Sequence, residues 1–318
     1  MSVRARLLLL VLFATLVPAL VGALLFLDYR ESQIADARRN LAAATRQIAQ
    51  GITNTIRSTA QFQYGLSRVP FFNTDDRAAC SAFLAGALKE FPQYTGILTI
   101  KPSGDLFCDS LQTGRTLNLK DRQYFQNALN SKNPLAVEPV FGRLTGTAVL
   151  QVAYGVRSES GEPRFVLLAS VNLEKYMQSR LMNLPQEDAI AVVMDGKGTI
   201  LTWHPDGEKL RGTSIADTPL FRFAREREGE NIQELVEADG ITRIWAASTL
   251  PDFSETGLHI LVGVSKNNLL AAENRSLFQA LATLMVVWLL VFASAWALTE
   301  LGIRRQVTPI IAAVEARA

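Results

Sequence analysis

The run Gly114-Arg-Thr-Leu-Asn-Leu-Lys-Asp-Arg-Gln-Tyr-Phe125 lies near the middle of a long polar segment and decides how the chain around it is interpreted. It joins a turn glycine to the start of a short helix, with Asp121 as the predicted N-cap. Arg122, Tyr124 and Phe125 cluster at that helix start. Because a guanidinium beside two aromatic rings suits a small polar ligand, we predict that these side chains form the floor of a pocket.

Segments of β-type sequence and turns surround this run. Before it, Tyr94–Ile100, a Pro-Ser-Gly-Asp turn and Leu106–Leu111 form a hairpin pattern. After it, three strands are predicted, at about Leu135–Phe141, Thr147–Arg157 and Arg164–Asn172. A connecting helix is predicted at Glu174–Met182.

The same order begins again after Pro185. A hairpin with Gly198 repeats the hairpin with Gly104, and Asp217…Phe221 repeats the spacing of Asp121…Phe125. Three further strands follow, at about Asn231–Glu237, Thr242–Thr249 and Leu258–Val264. We therefore predict an α+β fold in which a long helix precedes two tandem modules, each built on an antiparallel sheet.

Two apolar segments flank the tandem modules, at residues 7–27 and 277–301. About 20 apolar residues suffice to cross a membrane, so both are predicted transmembrane helices. A cleaved signal peptide is the alternative for the first segment. Its apolar region is usually shorter, at about 7–15 residues, so an uncleaved anchor is favoured.

The arginines beside these segments predict their orientation. Arg4 and Arg6 precede the first segment, and Arg304 and Arg305 follow the second. Positive flanks stay in the cytoplasm, so we expect both termini on the cytoplasmic side of a bacterial inner membrane and residues 28–276 in the periplasm.

A long helix is predicted from Asp28 to about Leu66, with apolar residues repeated every seven positions at Leu27, Ile34, Leu41 and Ile48. Such a repeat forms the seam between supercoiled helices, which favours a parallel homodimer. The alternative is that the stripe packs against the helix's own domain, and both can hold along different parts of the helix.

Cys80 and Cys108 are the only two cysteines. In an oxidising periplasm they can form a disulfide, which we favour over two buried free thiols. Two cysteines and two histidines without ligand spacing argue against a zinc site, so no metal or cofactor is expected. A net charge of +2 without a basic stripe argues against nucleic acid as a partner.

The order of these segments resembles the double Cache (dCache) sensors of bacterial receptors. Asp121-Arg-Gln-Tyr-Phe125 is similar to an Asp-Arg-x-Tyr-Phe run of that family, and Glu138-Pro-Val-Phe-Gly-Arg-Leu-Thr-Gly146 and Leu167–Leu173 are similar to further family segments. Val307-Thr-Pro309 resembles the start of a HAMP linker. The resemblance implies two PAS-like modules, of which the membrane-distal one binds the ligand.

The resemblance also implies roles for individual residues. Arg122 would pair with a carboxylate, and Tyr124 and Phe125 would form the pocket wall. Lower-ranked candidates are Arg143, Gln151, Tyr154 and Asn172. Amino-acid-binding members place an Asp where this chain has Asn172, which favours a carboxylate or another small anion as the ligand. The alternative for Arg122 is a structural ion pair with Asp121.

The predicted organisation is a cytoplasmic N-terminus (1–6), a membrane span (7–27), a long helix (28–70), a ligand-binding distal module (71–184), a proximal module (185–275), a second span (277–301) and the start of a HAMP-like linker (302–318). The predicted function is transmembrane sensing of a small ligand for a histidine kinase or diguanylate cyclase output. Alternatives are a chemotaxis receptor input and a ligand-free scaffold. An enzyme is disfavoured, since no nucleophile–base pair or metal set is evident.

Overall fold

The computed structural model describes residues 3–69, 76–181, 188–205, 207–226, 232–237, 239–269, 271, 275, 277–294 and 296–297. The chain divides into two compact units. One comprises residues 38–266, and the other comprises residues 1–37 and 267–318. The predicted HAMP-like segment 302–318 and Pro70, the last residue of the predicted long-helix segment 28–70, lie outside the described residues.

The described elements alternate in the order expected for two α+β modules. The helices are α1 (Val3–Ser67), α2 (Arg77–Glu90), α3 (Gln123–Asn130), α4 (Leu173–Leu181), α5 (Pro219–Arg225) and α6 (Lys266–Leu269). The strands are β1 (Tyr94–Ile100), β2 (Leu106–Asp109), β3 (Leu135–Phe141), β4 (Ala148–Arg157), β5 (Pro163–Asn172), β6 (Ile190–Met194), β7 (Ile200–His204), β8 (Ile232–Val236), β9 (Thr242–Thr249) and β10 (His259–Ser265). The predicted α+β class, with a long N-terminal helix and two antiparallel sheets, is confirmed.

The two sheets share one topology. The first has the strand order β2-β1-β5-β4-β3 and the second the order β7-β6-β10-β9-β8, with neighbouring strands antiparallel in both. In each sheet the last strand lies in the centre, where most of its residues are buried. Burial on both faces explains why β5 and β10 read as nearly continuous apolar runs instead of alternating ones.

The burial of the apolar residues that repeat every seven positions differs along helix α1. Leu41 and Ile48 are only 2% and 4% exposed, and Ile52 and Ile56 continue the buried stripe. Leu27 is 60% exposed. Within the unit of residues 38–266 the stripe therefore packs against the helix's own domain, and a dimer contact along the rest of it stays a prediction.

One described helix, Leu277–Ser294, is long and apolar enough to cross a membrane, with a mean hydropathy of 2.1. It lies within the predicted second span, whose last residues fall outside the described part of the chain. The first predicted span, residues 7–27, lies in α1, and its membrane insertion stays a prediction.

Cys80 on α2 and Cys108 on β2 are joined by a disulfide, with their Cα atoms 5.9 Å apart. Asp76 caps α2 by accepting hydrogen bonds from the amides of Ala78 and Ala79, each at 3.0 Å. The bridge therefore ties a capped helix to the edge strand of the first sheet, and the alternative of two free thiols does not hold.

Candidate ligand-binding site

A row of four residues crosses one face of the first sheet. Gly96 on β1 lies opposite Ser170 on β5, Ser170 opposite Gln151 on β4, and Gln151 opposite Glu138 on β3. Directly opposite residues of antiparallel strands project from the same face, so Ser170, Gln151 and Glu138 form a polar strip between apolar rows. Leu168, two positions before Ser170, belongs to the neighbouring apolar row.

Helix α3 lies on this face and carries Tyr124 over it. Tyr124, Phe125 and Ala128 are buried in the core that α3 forms with the sheet. The helix approaches β4 at Gly155, where a Cβ atom would lie 2.0 Å from the Ala128 carbonyl oxygen. Glycine at this position allows α3 to rest directly on the strand that carries Gln151.

The start of α3 differs from the prediction that Asp121 caps it. The N-cap position is Arg122, which makes no side-chain capping hydrogen bond. The Tyr124 amide instead donates to Oε2 of Glu138 at 2.9 Å. A carboxylate from β3 thus replaces a local cap, which is favourable because helix N-termini attract negative charge.

The carboxylate of Asp121 has a different partner. Arg143 donates to it through Nη1 at 3.0 Å and Nη2 at 2.6 Å, and Nη1 also donates to the Asn118 carbonyl oxygen at 2.9 Å. Arg143 belongs to the segment Gly142–Thr145, which we call the cavity loop. The two runs similar to family segments, 121–125 and 138–146, are therefore tied to each other at both Glu138 and Arg143.

A cavity lies between the polar strip and the cavity loop. Its lining residues are Thr95, Gly96, Leu98, Leu111, Leu117, Leu119, Tyr124, Gly142, Arg143, Leu144, Thr145, Gln151, Leu168 and Ser170. The empty space out to the open mouth is about 360 Å³, but the centre of a water molecule has only about 20 Å³ to occupy. In this conformation the cavity holds about one water, so a larger ligand requires movement of a wall.

Charge in the cavity comes from one side chain. Among the described residues that line the cavity, Arg143 alone carries a formal charge, and 34% of its side chain is exposed at the mouth. Its hydrogen bonds hold the pKa of the Asp121 carboxyl below the usual range, and the same pairing raises the pKa of Arg143. Burial raises the pKa of Tyr124 to about 12, so its hydroxyl is neutral at physiological pH.

The structure brings three of the predicted site residues together. Tyr124, Arg143 and Gln151 line the cavity, and Phe125 lies beneath it in the core. Arg122 does not line it, and its buried Nε atom has no hydrogen-bond partner within the described residues. Since Asp121 pairs with Arg143, the structure contains no Asp121–Arg122 ion pair of the kind considered from the sequence.

Two further predicted residues lie elsewhere in the first module. The Tyr154 ring packs edge-on against Tyr64 of α1, with centroids 6.5 Å apart. Asn172 caps α4, because its Oδ1 atom accepts a hydrogen bond from the Lys175 amide at 3.0 Å. These contacts are structural, and ligand contact by either residue stays a prediction.

Sequence reasoning did not select Ser170, Thr95 or the leucines of the wall. Ser170 had a detectable signal, because it is a polar residue two positions after Leu168 in an otherwise apolar strand and so shares its face. The leucines had none, since their residue type is what any core contains. Among the described residues, no group of three or more His, Cys, Asp or Glu side chains is placed to hold a metal ion.

Comparisons with known proteins agree with this fold. A family profile described as a Cache domain, of the dCache type, matches residues 28–272. The extracellular domain of rpHK1S-Z16, a candidate histidine kinase, is 18% identical, with a TM-score of 0.63 over 74% of this chain and 98% of that chain. No curated protein matches this chain.

Two chemoreceptor domains share the fold. The ligand-binding domain of Tlp3 from Campylobacter jejuni, in complex with L-valine, has a TM-score of 0.55 at 14% identity and covers 76% of this chain and 97% of its own. The ligand-binding domain of CtaA from Pseudomonas fluorescens, in complex with L-serine, has a TM-score of 0.56 at 18% identity. The match covers 73% of this chain and 99% of that chain. Because the family profile covers well over half of the sequence, this chain belongs to the Cache domain family, in its double form.

Proposed function

We propose that this chain is the input part of a transmembrane receptor, which binds a small extracytoplasmic ligand in the cavity beneath Gly142–Thr145. Double Cache domains are extracytoplasmic sensor domains of membrane receptors, and they bind ligands without catalysing a reaction. The observation that carries the proposal is the cavity itself, with a polar floor, leucine walls and one cationic side chain at its mouth. A ligand-free scaffold has no need of buried polar groups facing empty space.

The charge of the lining favours a carboxylate or another small anion as the ligand. The solved Tlp3 and CtaA domains hold amino acids, whose ammonium group needs an acceptor or a negative charge nearby. Among the described lining residues none is acidic, and Arg143 is cationic. Asp121 lies at the mouth but is engaged by Arg143. An anion therefore meets a cation in the lining itself, whereas the nearest floor carboxylate, Glu138, does not line the cavity and already accepts a hydrogen bond from the Tyr124 amide.

The placement in the membrane is part of the proposal. Residues 7–27 and 277–301 would span the membrane, and 28–276 would lie outside the cytoplasm. Within that part, 71–184 would form the distal ligand-binding module and 185–275 the proximal module. Residues 302–318 would begin a HAMP-like linker to a histidine kinase, diguanylate cyclase or chemotaxis output, in a parallel homodimer. The apolar helix Leu277–Ser294 supports this arrangement.

Helix α1 is hydrogen-bonded to the two strands that carry the cavity floor, from the opposite face of the first sheet. Gln63 of α1 is fully buried, and its Nε2 atom donates to the carbonyl oxygens of Val152 at 2.8 Å and Leu167 at 3.2 Å. These residues adjoin Gln151 and Leu168, which line the cavity. A ligand that favours one position of β4 and β5 would therefore also bias the position of α1, as a two-state receptor requires.

The second sheet ties α1 to the segment that leaves it. Glu234 on β8 accepts hydrogen bonds from Arg38 of α1 at 2.9 Å and from Lys266 of α6 at 2.6 Å. Arg38 follows the predicted first span along the chain, and Lys266 precedes the second. One carboxylate thus joins both chain segments that would carry a signal to the membrane.

The Glu234→Gln substitution is expected to lower the melting temperature at neutral pH and to have progressively less effect in acid. The hydrogen bond from Lys266, assisted by Arg38, holds the pKa of Glu234 below its ordinary value of 4.5. The ionised carboxylate therefore stabilises the fold above the unfolded-state pKa, and this contribution is lost as the pH falls through the lower folded-state value. Melting curves of both proteins across pH 3 to pH 7, at roughly one-unit steps, measure the difference.

The control for Glu234 is Glu159→Gln, at an exposed turn residue that makes no ion pair within the described chain. Its effect should be small at every pH. A Glu234→Gln deficit of constant size from acid to neutral pH would contradict the assignment, because a packing defect does not depend on the charge of the carboxyl group.

A thermal-shift screen of small metabolites on the full chain in lipid nanodiscs tests the proposed function. A ligand at 100 times its dissociation constant stabilises by about 2.7 kcal/mol, or roughly 5–10 °C for a unit of this size. Carboxylates are expected to raise the melting temperature. No response to any small molecule would support the scaffold alternative instead.

Arginine variants locate the site within that screen. Arg143→Ala is expected to remove most of the ligand shift, whereas Arg115→Ala, at an exposed arginine that does not line the cavity, should retain it. Arg122→Ala tests the role implied by the family resemblance. An unchanged shift in Arg143→Ala together with a lost shift in Arg122→Ala would move the site toward Arg122.

A further inference from the structure

The side-chain amide of Gln151 uses its oxygen in a hydrogen bond, whereas its nitrogen makes none within the described residues. It is only 4% exposed, and Ser170 donates its hydroxyl proton to Oε1 of Gln151 at 2.7 Å. The Nε2 atom has no hydrogen-bond partner within the described part of the chain, although the side chain lines the cavity. With the oxygen held by Ser170, the two N–H groups of the amide face the cavity.

Within the described residues, the neighbours of Gln151 make no hydrogen bond to those N–H groups. Glu138, next in the polar strip, instead accepts a hydrogen bond from the Tyr124 amide. On the other side of Ser170 the strip ends in Gly96, where an added Cβ would meet only ordinary contacts at 3.9 Å or more, so that end of the floor stays open. Leu98 and Leu168 form the apolar surroundings. A donor that a ligand covers in such surroundings is costly to leave unpaired, so an acceptor on the ligand gains strongly there.

Gln151 and Arg143, the polar residues proposed to contact the ligand, lie at different depths in the cavity. Gln151 lies on the sheet at the bottom of the cavity, whereas Arg143 lies at the mouth with a third of its side chain in solvent. Several leucines are among the other lining residues. The buried end of a ligand therefore meets neutral N–H donors and the outer end meets a cation.

We infer that Gln151 is the specificity-determining residue of this cavity, selecting ligands whose buried end carries a hydrogen-bond acceptor, such as a carboxylate or carbonyl oxygen, and rejecting ligands that bury an ammonium group. Ser170 is a positioning residue, because its hydroxyl fixes which side of the Gln151 amide faces the ligand. This inference rests on the proposed binding function and goes further by assigning the ligand chemistry to one side chain.

Three probes of similar size, each with three carbon atoms, separate the two chemistries: propionate, propionamide and n-propylamine. Their binding to the full chain in nanodiscs is measured by thermal shift and calorimetry. The wild-type protein is expected to bind propionate and propionamide and to show no shift with propylamine. Gln151→Glu keeps the shape and the Ser170 contact but replaces the donor by an acceptor. This variant should bind propionate about tenfold more weakly or worse, and propylamine should raise its melting temperature.

Further variants keep the test decisive if a buried glutamate impairs folding. Gln151→Met removes the donors without adding charge. The affinities for propionate and propionamide should therefore fall, and propylamine should still not bind. Ser170→Ala should reduce the discrimination between propionate and propylamine at a nearly unchanged unliganded melting temperature, which a purely structural role would not do. Gln233→Glu, at an exposed glutamine of the second sheet, is the matched control and should bind like wild type.

The outcomes separate this inference from the binding function itself. Propylamine binding by the wild type, or propionate affinity unchanged in Gln151→Glu and Gln151→Met, would overturn the inference while leaving a ligand-binding receptor in place. No wild-type response to any of the three probes would also overturn it. The binding function fails only if the wider metabolite screen is negative as well.

Discussion

Replacing Gly155 by alanine is expected to lower the free energy of unfolding by about 3 kcal/mol or more, at the upper end of what overpacking costs. The new methyl carbon would lie 2.0 Å from the carbonyl oxygen of Ala128 and 3.0 Å from its carbonyl carbon. Both atoms belong to the backbone of α3, so no side-chain rotation relieves the clash. The helix must move away from β4 or the strand must bend.

The functional consequence of Gly155→Ala follows from what these elements carry. Helix α3 positions Tyr124 over the cavity and β4 positions Gln151 on its floor. In a cavity that holds about one water, a shift of an ångström in their separation changes the fit. Ligand response is therefore expected to fall together with stability.

Urea or thermal unfolding of the full chain measures this effect. The control is Gly86→Ala on α2, where nothing lies within 4 Å of the added methyl group. There the usual preference of a helix for alanine over glycine should stabilise by up to about 1 kcal/mol. Equal melting temperatures for Gly155→Ala and wild type would mean that α3 does not rest on β4 as described.

Removing the disulfide is the second large effect that we expect. The bridge closes a loop with a sequence separation of 28. In the chain-entropy account a loop of that size contributes about 3–4 kcal/mol, so Cys80→Ala/Cys108→Ala should melt well below wild type.

Loss of the bridge should also affect ligand binding, since β2 leads directly into the cavity wall. Ser110 follows β2, and its Oγ atom accepts a hydrogen bond from the Ile97 amide at 2.8 Å. The next residue, Leu111, lines the cavity. Releasing β2 from α2 therefore loosens a wall as well as the edge of the sheet.

A reducing agent provides the internal control for the disulfide. It should lower the melting temperature of wild type to about that of the double variant and leave the double variant unchanged. A wild-type protein that melts at the same temperature with and without reductant, after complete reduction is verified by thiol labelling, would contradict a stabilising role.

Local patterns predicted most of the secondary structure of the described residues. Predicted strands at Leu135–Phe141 and Thr242–Thr249 coincide with β3 and β9, because β-branched and apolar residues bounded by turn-forming glycine and proline leave few alternatives. The repeated order of elements predicted two similar sheets, and the strand orders of the two sheets correspond.

The sequence predicted several residues that line the cavity, but it did not predict contacts between residues that are distant along the chain. Tyr124 was found because it lies beside a helix start. The sequence did not predict that Glu138, and not Asp121, accepts a hydrogen bond at that helix start. Glu138 is brought there only by the pairing of β3 with β4. The same holds for Arg143 and Asp121, which are joined across the cavity loop.

The amino-acid sequence by itself determined the fold class, the long helix, the tandem repeat and the family, since all of these depend on periodicity and local motifs. Only the tertiary structure decided which polar groups share a cavity and which of their hydrogen bonds are already used. Those properties depend on strand register and on the close contact of α3 with β4, and both bring together residues far apart in the chain. Gln151 shows the difference, because its residue type is plain in the sequence and its free N–H groups exist only because Ser170 lies opposite.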